Sequence, residues 1–301
     1  MSPPPEGLLL VDKPTGPTSH DIVALARRIT GQRRIGHAGT LDPMASGLLP
    51  LVLGRATRLV RFLPRSPKLY EGKILLGVTT ETDDMTGAVL ARHGGELPSP
   101  SAVREAAGRL VGRIAQVPPA VSARRVGGER LYRLARSGRA VAAPPATIEV
   151  FRLEFAPGPT ADEWTLVAEV SSGTYVRALA RDLGASLGCG AALAGLRRLA
   201  IGPMTLEGAV RLDDAMAAAS LLDAIVPLEA MPLEPPPVEL PDEAACSRFG
   251  AGLPVPLPAG SPPAGMVRAL SPASGLLGIG EAGGGLLHPR VVLPAPPVPR
   301  A

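Results

Sequence analysis

Strand-like patterns occur from one end of the chain to the other. Residues 7–11 (GLLLV) form a short apolar run that predicts a buried strand. In residues 70–79 every second side chain falls on one face, which predicts another strand, and residues 164–170 predict a third. Residues 275–294 predict short strands joined by glycine turns, so sheet structure is expected near both ends of the chain.

Helix-like patterns lie between these strands. Thr18 and Asp21 have the spacing of a capping box at a helix start, and apolar residues continue at helical spacing as far as Ile29. Further helices are predicted from apolar spacing at residues 100–112, at 129–137, from about Tyr175 onward, and at 212–225. The chain is therefore expected to contain both helices and strands.

A proline-rich stretch marks the clearest boundary in the chain. Residues 232–241 (PLEPPPVELP) contain five prolines, which cannot hold a helix and predict a stiff, extended spacer. We therefore expect a large domain over residues 1–231, a linker over 232–241 and a small domain over 242–293. Residues 294–301 are predicted to be a disordered tail. A chain cut after Pro241 is expected to stay soluble.

The composition is that of a folded protein. Apolar residues make up 46% and charged residues 19%, which argues against global disorder, while only 3% aromatic residues predict an aliphatic core. Cys189 and Cys246 lie far apart and form no CxxC pair, which predicts a reducing cytoplasm. No signal peptide and no apolar run of about 18 residues is present, so we expect no membrane span.

Positive charge is concentrated in one segment. The formal net charge is only +4, but residues 101–140 contain nine arginines and two acids, Glu105 and Glu129. Such a patch suits a polyanion, with RNA or DNA as the obvious candidate, although a solvated basic helix is the alternative. The four histidines are isolated in sequence, so no zinc-ligand spacing is present and we expect no metal.

One carboxylate stands in an unusual stretch, GHAGTLDPMASG at residues 36–47. Asp42 lies among glycines and other small residues, and Pro43 restricts the backbone directly after it. Apart from Asp42, residues 36–54 contain no Asp, Glu, Lys or Arg, so we expect the partner of Asp42 to come from elsewhere in the chain. We also expect the acid to be poorly hydrated. A turn aspartate that accepts backbone hydrogen bonds is the alternative interpretation.

The stretch GHAGTLDPMASGLLPLVLG closely resembles the catalytic motif of the TruB-type tRNA pseudouridine synthases, in which the Asp of GTLDP is the catalytic acid. The resemblance extends, in the family's order, over about 200 residues. The other matching segments are VDKPTGPTSHDIV at 11–23, KLYEGKILLGVTTETDDMTG at 68–87, QVPPAVSARRVGGERLYRLARSG at 116–138, SSGTYVRALARDLG at 171–184 and LRRLAIGPMTLEGAV at 196–210. The departures, such as Ser172 where the family often has Lys, concern RNA contacts more than chemistry.

The resemblance implies a role for each matching residue. Asp42 becomes the nucleophile or acid–base group, Tyr70 stacks on the target base, and Arg177 pairs with Asp42. His37 fills the gap that the base leaves in the RNA loop. The remaining residues implied in substrate or RNA binding are Lys13 and Pro14, which buttress the site, Leu196 in its apolar wall, and Tyr175, Arg125 and Arg130.

The resemblance also implies the fold and the reaction. The fold class is α+β: a mixed, mostly antiparallel sheet flanked by helices, with a small β-rich C-terminal domain resembling a PUA domain. The reaction is isomerisation of the T-arm uridine of tRNA, at position 55, to pseudouridine by base flipping and an Asp-dependent rearrangement at C6, C1′ or C2′. No cofactor is expected, residues 116–150 grip the RNA, and the chain is expected to be a cytoplasmic monomer.

Three other functions fit parts of the sequence. An RNA chaperone could use the same basic segment to remodel tRNA without chemistry, and a nucleoside hydrolase could use Asp42 to release free uracil. Residues 182–195 (DLGASLGCGAALAG) resemble the glycine-rich loop of methyltransferases that bind S-adenosylmethionine. That loop must follow a strand and open a helix, whereas the residues before 182 have helical periodicity.

Overall fold

The structure is a computed structural model that describes residues 4–121, 125–126, 129–130, 143–212, 218–273 and 275–294. The α-helices of this part of the chain are, in order, α1 Ser19–Thr30, α2 Pro100–Gly108, α3 Val176–Ser186, α4 Ala218–Asp223 and α5 Glu243–Gly250. None of the helices in the described ranges is long and apolar enough to cross a membrane.

Strands account for most of the remaining regular structure. Strands β1 to β9 are Gly7–Lys13, Ile35–His37, Ala45–Leu53, Lys68–Leu76, Val78–Thr80, Val89–Arg92, Gly112–Gln116, Arg125–Val126 and Glu129–Arg130. Strands β10 to β19 are Ala146–Pro157, Glu163–Val170, Ala191–Ile201, Met204–Thr205, Ile225–Val226, Pro237–Glu239, Val255–Pro256, Gly265–Ser271, Gly275–Gly283 and Leu286–Val292.

Ten of these strands form one large sheet. Its order is β14-β1-β3-β12-β4-β11-β10-β7, with β2 added to β3 and β13 added to β12. Among the described strands of this sheet, β12 and β3 form the one parallel pair; β12 lies between β3 and β4 and is antiparallel to β4. This arrangement places the start of β3, the start of β4 and the middle of β12 side by side, and the candidate site lies there.

Local sequence explains where α1 begins. The Thr18 hydroxyl accepts a hydrogen bond from the Asp21 amide at 3.1 Å, and the Asp21 carboxylate accepts one from the Thr18 amide at 2.8 Å. The helix ends at Gly31, which adopts the left-handed conformation with φ +65°. The predicted capping box is therefore confirmed, and it orients Ser19 at the first turn towards the loop that carries Asp42.

Several predicted element boundaries are wrong. The helix predicted at 100–112 ends at Gly108, because Gly112 has φ +97° and opens strand β7. The strand predicted at 70–79 ends at Leu76, since Gly77 turns the chain with φ +80°.

Two further helix predictions also need correction. Residues 129–130, predicted as the start of a helix, instead pair with β8 across a Gly-Gly sequence that favours a hairpin turn; residues 131–137 lie outside the described part. The helix predicted at 212–225 is described only over Ala218–Asp223, residues 213–217 lie outside the description, and Ile225 pairs with β1.

A second sheet lies at the C-terminal end, in the order β15-β17-β18-β19-β16. Its two long hairpin strands turn at glycines 284 and 285, both at positive φ, as the glycine pattern predicted. In the proline-rich residues 232–241, Pro237–Glu239 form strand β15, and the stretch is packed rather than free: Leu233 is buried and β15 pairs with β17. The domain boundaries themselves stay a prediction.

One apolar cluster connects the two sheets. On the side of the large sheet it includes Leu8, Leu48 and Val52, and on the side of the second sheet it includes Ile279 and Val291, all nearly or fully buried. Two hydrogen bonds also join these parts of the chain: Arg55 donates to the carbonyl group of Pro294, and Arg58 donates to that of Val292. The second sheet is therefore packed onto the large one through an apolar contact.

Candidate active site

The loop that carries Asp42 runs from the end of β2 to the start of β3 and is held by a neighbouring helix. The Ser19 hydroxyl in α1 both accepts a hydrogen bond from the Leu41 amide at 2.9 Å and donates one to the Leu41 carbonyl at 3.1 Å. The Gly16 amide donates to the Pro43 carbonyl at 2.8 Å. Backbone groups on both sides of Asp42 are thus held in place.

A buried arginine holds the other side of this loop. Arg198 in β12 is fully buried and donates to the carbonyl groups of Gly39, Thr40 and Leu48 at 2.9, 3.3 and 2.8 Å. Gly47 permits this approach: a Cβ added there, at φ +100°, would lie 2.2 Å from the Arg198 carbonyl oxygen. Gly47 therefore lets β12 pair closely with β3 next to the loop, so that the Arg198 side chain reaches the carbonyl groups of the loop.

Asp42 pairs with Arg177, as the resemblance implied. The Arg177 Nε lies 2.9 Å from Asp42 Oδ2, and this ion pair joins residues that are 135 positions apart in the chain. The Arg177 side chain is 6% exposed, but that of Asp42 is 42% exposed. The expectation that the acid is poorly hydrated is therefore wrong for this structure, because the carboxylate opens into a solvent-accessible cavity.

Arg177 is held by three separate segments besides its own helix. Its remaining N–H groups donate to the carbonyl oxygens of Thr82 and Val121, each at 2.9 Å. A second carboxylate, Asp84 Oδ2, lies 3.8 Å from its Nε. The helix dipole disfavours a cation in the first turn of a helix, where Arg177 lies in α3. These acceptors offset that effect and hold the guanidinium in place. The guanidinium is thereby fixed before any substrate arrives.

Asp84 was not singled out from the sequence, although it belongs to the matching segment TETDDMTG. It is buried and accepts hydrogen bonds from the Thr82 hydroxyl and the Thr86 amide at 2.7 and 3.0 Å. The neighbouring Asp83 binds Arg181, and burial raises its pKa. The two consecutive acids after Thr82 were the signal in the sequence that could have indicated these residues. Only the folded structure shows that they lie next to the arginines of α3.

A cavity of about 220 Å³ lies in front of this ion pair. Tyr70 in β4, which is buried, forms one wall, and Tyr175 forms another with its ring centroid 5.9 Å from the Arg177 guanidinium carbon. Leu196 in β12 supplies an apolar side, and Lys68 reaches the same space. The predicted residues Asp42, Tyr70 and Arg177 thus surround one cavity together with Tyr175 and Leu196.

A second cavity, of about 390 Å³, lies next to the first and shares Lys68 and Gly173 with it. His37 lines this space, and its Nδ1 is buried without a hydrogen-bond partner among the described residues. Burial lowers the pKa of His37, and the neighbouring His20 and Arg198 lower it further. The His37 ring contacts His20 edge-to-face at 5.5 Å, which places a neutral, flat side chain at the cavity wall.

The two remaining residues of the N-terminal motif have different positions. Lys13 is fully buried, and its Nζ donates to the carbonyl oxygens of Pro14 and Pro17, both at 2.8 Å. Burial lowers the pKa of Lys13 to about 8, against the opposing effect of Asp42. Pro14 is exposed and is not among the residues that line the cavity with Asp42; its carbonyl group accepts the hydrogen bond from Lys13.

The predicted RNA-contact residues Arg125 and Arg130 pair with each other across the β8–β9 hairpin, and their side chains lie outside the description. The glycine-rich residues 182–195 begin in the last part of helix α3 and end in the first part of strand β12. This order is the reverse of a loop that binds S-adenosylmethionine, so the methyltransferase interpretation is wrong. Within the described ranges, no group of three or more possible metal ligands lies together.

Comparison with known proteins covers nearly the whole chain. The N-terminal domain of TruB family pseudouridylate synthases matches residues 27–176. The tRNA pseudouridylate synthase B C-terminal domain matches residues 177–231, and the C-terminal part of pseudouridine synthase II TruB matches residues 236–293. All three descriptions name the same family, in chain order.

Curated relatives and solved structures agree. tRNA pseudouridine synthase B of Acaryochloris marina is 41% identical over 297 residues, covering 96% of this chain and 99% of the relative. The protein of that name from Mycobacterium avium is 48% identical over 217 residues, covering 71% of this chain and 70% of the relative. A chain in the crystal structure of an archaeal box H/ACA Nop10–Cbf5 complex has a TM-score of 0.69 at 27% identity, covering 97% of this chain and 87% of that chain. The predicted fold class is confirmed, and the chain belongs to the TruB family of pseudouridine synthases.

Proposed function

We propose that the chain isomerises the T-arm uridine of tRNA, at position 55, to pseudouridine, with Asp42 as the catalytic carboxylate. The observation that carries the proposal is the position of Asp42 at one cavity wall, 2.9 Å from a buried arginine and across from Tyr70. The relatives named tRNA pseudouridine synthase B support tRNA as the substrate.

The reaction moves the glycosidic bond from N1 to C5 of the same base. A base inside a folded RNA loop must leave its stack before an enzyme can reach these atoms. The cavity of about 220 Å³ is smaller than the ~300–1,000 Å³ of pockets for drug-sized ligands, so its size suits a single base. The Tyr70 and Tyr175 rings offer faces for stacking, and Leu196 excludes water from the apolar side.

The Asp42 carboxylate is the group that forms a bond to the substrate or removes a proton from it. It can attack C6 of the base or C1′ of the sugar as a nucleophile, or remove a proton at C2′, and each route needs the same free carboxylate oxygen. Arg177 binds Asp42 Oδ2 and leaves Oδ1 for the substrate. Asp84 and the Thr82 carbonyl position Arg177, so they act on the reaction through it.

RNA binding is assigned to other parts of the chain besides this cavity. Residues 116–150, with Arg125 and Arg130, are proposed to bind the phosphate backbone, and His37 to occupy the gap that the extruded base leaves. Lys13 supports the loop through Pro14. The C-terminal sheet over 242–293 is proposed as a PUA-like RNA-binding domain, and the whole chain as a cytoplasmic monomer that needs neither metal nor cofactor.

The test is one assay on wild-type chain and on Asp42→Asn. Asn fills nearly the same space and can still accept a hydrogen bond from Arg177, but it is neither a nucleophile nor a base near pH 7. Since phosphate contacts and stacking do not need the carboxylate, we expect tRNA affinity within about tenfold, or ~1.4 kcal/mol, of wild type. Pseudouridine, measured by mass spectrometry after chemical derivatisation, is expected only from the wild-type chain.

Other outcomes identify the other functions. Free uracil in the wild-type reaction would make the chain a hydrolase, and tRNA refolding with no pseudouridine would make it a chaperone. A normal product yield from Asp42→Asn would return Asp42 to the status of a turn residue. Loss of both folding and tRNA binding in that variant would make the acid structural.

A further inference from the structure

Lys68 lies where the two cavities meet. It is the first residue of β4, two positions before Tyr70, so the two side chains project from the same face of the strand. It lines both the cavity that contains Asp42 and the cavity that contains His37. A nucleotide whose base enters the first cavity while its neighbours remain near the second must pass its sugar–phosphate backbone across this position.

The ammonium group of Lys68 has no partner of its own in the described part of the chain. The two other lysines differ: Lys13 donates to two carbonyl groups, and Lys73 pairs with Glu163 at 2.9 Å. Burial first, and then the neighbouring cations Arg198 and Arg65, lower the pKa of Lys68 to about 8.

The missing partner of such a group is an anion. Arg198 is not available as a second ligand, because it is fully buried, lines neither cavity and already donates from each guanidinium nitrogen to a carbonyl oxygen. Arg65, by contrast, is exposed and lines the His37 cavity together with Lys68. A lysine ammonium is a compact point charge on a flexible stem, which suits one phosphate oxygen better than a planar base edge.

We propose that Lys68 binds a phosphodiester group of the RNA next to the nucleotide whose base enters the Asp42 cavity. The contact anchors the extruded nucleotide at its backbone while Tyr70 and Asp42 engage its base, and Arg65 adds a second positive charge beside the same phosphate. The inference rests on the proposed function, and it adds to it a phosphate subsite that is separate from the arginine-rich residues 116–150.

Lys73 provides a matched control for the test. It lies on the same strand five positions later, so it projects from the opposite face, and it is 58% exposed. Lys68→Met removes the charge but keeps the stem, Lys68→Arg keeps the charge, and Lys73→Met removes an equal charge from the other face. All three are made together with Asp42→Asn, so that no turnover alters the RNA during a binding measurement.

The probe is a synthetic T-arm stem-loop in which one phosphate beside the target uridine is replaced by a neutral methylphosphonate. The nucleotide on its 5′ side carries a 2′-O-methyl group, and the reference RNA has the same sugar with a normal phosphate. The parent in these measurements is the chain with Asp42→Asn alone. We expect a methylphosphonate at one position to weaken RNA binding to this parent by about tenfold. The same methylphosphonate should cause no further loss of affinity in Lys68→Met. The slope of log affinity against log salt concentration is negative. We expect it to become less steep by about 0.7 to 0.9 in Lys68→Met and to stay unchanged in Lys68→Arg and Lys73→Met.

Three results would overturn the inference. The first is an RNA affinity and a salt slope in Lys68→Met that equal those of the parent. The second is an equal loss of affinity in Lys68→Met and in the parent for every methylphosphonate position. The third is a change of the salt slope in Lys73→Met as large as that in Lys68→Met. Urea unfolding of each variant shows whether the fold is retained, and Lys68→Gln, which also removes the charge, replaces Lys68→Met if that variant is unstable. Pseudouridine formation by the wild-type chain on the unmodified tRNA is measured separately, so its absence would count against the proposed function alone.

Discussion

Replacing Arg177 by lysine separates charge from geometry in the candidate site. The guanidinium group reaches three acceptors in three different segments, Asp42, the Thr82 carbonyl and the Val121 carbonyl, each at 2.9 Å. A lysine has a single nitrogen and cannot lie within hydrogen-bond distance of all three. Arg177→Lys therefore keeps the positive charge in the site but loses part of the network that positions it.

The size of the effect follows from burial. Arg177 is 6% exposed, so the carbonyl oxygens that lose their donor are poorly solvated. A hydrogen bond to a charged group contributes about 1.5–3 kcal/mol, and two such bonds are at risk, although water from the cavity replaces part of them. We expect the free energy of unfolding to fall by about 2–4 kcal/mol. A displacement of Asp42 by about 1 Å is expected to lower kcat by about a hundredfold, with little change in KM.

Arg181 is the matched control. It lies one turn later on α3, binds Asp83 and Asp182, and donates to the Val117 carbonyl, but its side chain is 28% exposed. Because solvent screens these contacts, Arg181→Lys should lower the free energy of unfolding by about 1 kcal/mol or less and leave kcat within a few-fold of wild type. Urea unfolding and single-turnover pseudouridine formation measure both quantities. Wild-type kcat in Arg177→Lys, or equal losses in both variants, would refute the argument.

Two more predictions concern RNA contacts and the C-terminal sheet. Arg130→Ala should lower the salt dependence of tRNA binding by about 0.7 to 0.9 per lost phosphate contact, measured by filter binding, and an unchanged slope would mean that this arginine is only solvated. A chain cut after Pro241 loses Ile279 and Val291 from the cluster that covers Leu8 and Leu48, so we now expect a destabilised or aggregating protein, contrary to the expectation from the linker alone. Size-exclusion chromatography and urea unfolding check this, and a soluble monomer with an unchanged urea midpoint would contradict it.

Local signals were sufficient wherever the structure depends on neighbouring residues. The capping box of Thr18 and Asp21 correctly predicted the start of α1, because both partners lie within one turn. The end of α2 was missed, since apolar spacing continued past Gly108 while the glycine at 112 required a positive φ to begin a strand. The periodicity of side chains indicates which face is buried, but it does not indicate where backbone conformation changes.

Long-range contacts could be predicted only where the resemblance supplied them. The pairing of Asp42 with Arg177 came from the matching motifs, and the structure confirms the contact. Asp84 lies in a matching segment too, yet its position 3.8 Å from Arg177 depends on how the turn after β5 meets α3. The lack of a partner for Lys68 among the described residues could not be predicted at all, because it becomes visible only when the neighbouring side chains have known positions.

The small residues around Asp42 place the acid rather than dehydrate it. Gly47 lets the Arg198 backbone come close, Arg198 binds the carbonyl groups of the loop, and Arg177 fixes one carboxylate oxygen. None of these contacts covers the other side of Asp42, which stays 42% exposed. Under the proposed function, the extruded base is the group that would remove water from the carboxylate, and the same step would strengthen the attraction between Asp42 and Arg177, because Coulomb interactions grow as the local dielectric constant falls. On this proposal, the site would reach its reactive arrangement only when the substrate base is in the cavity.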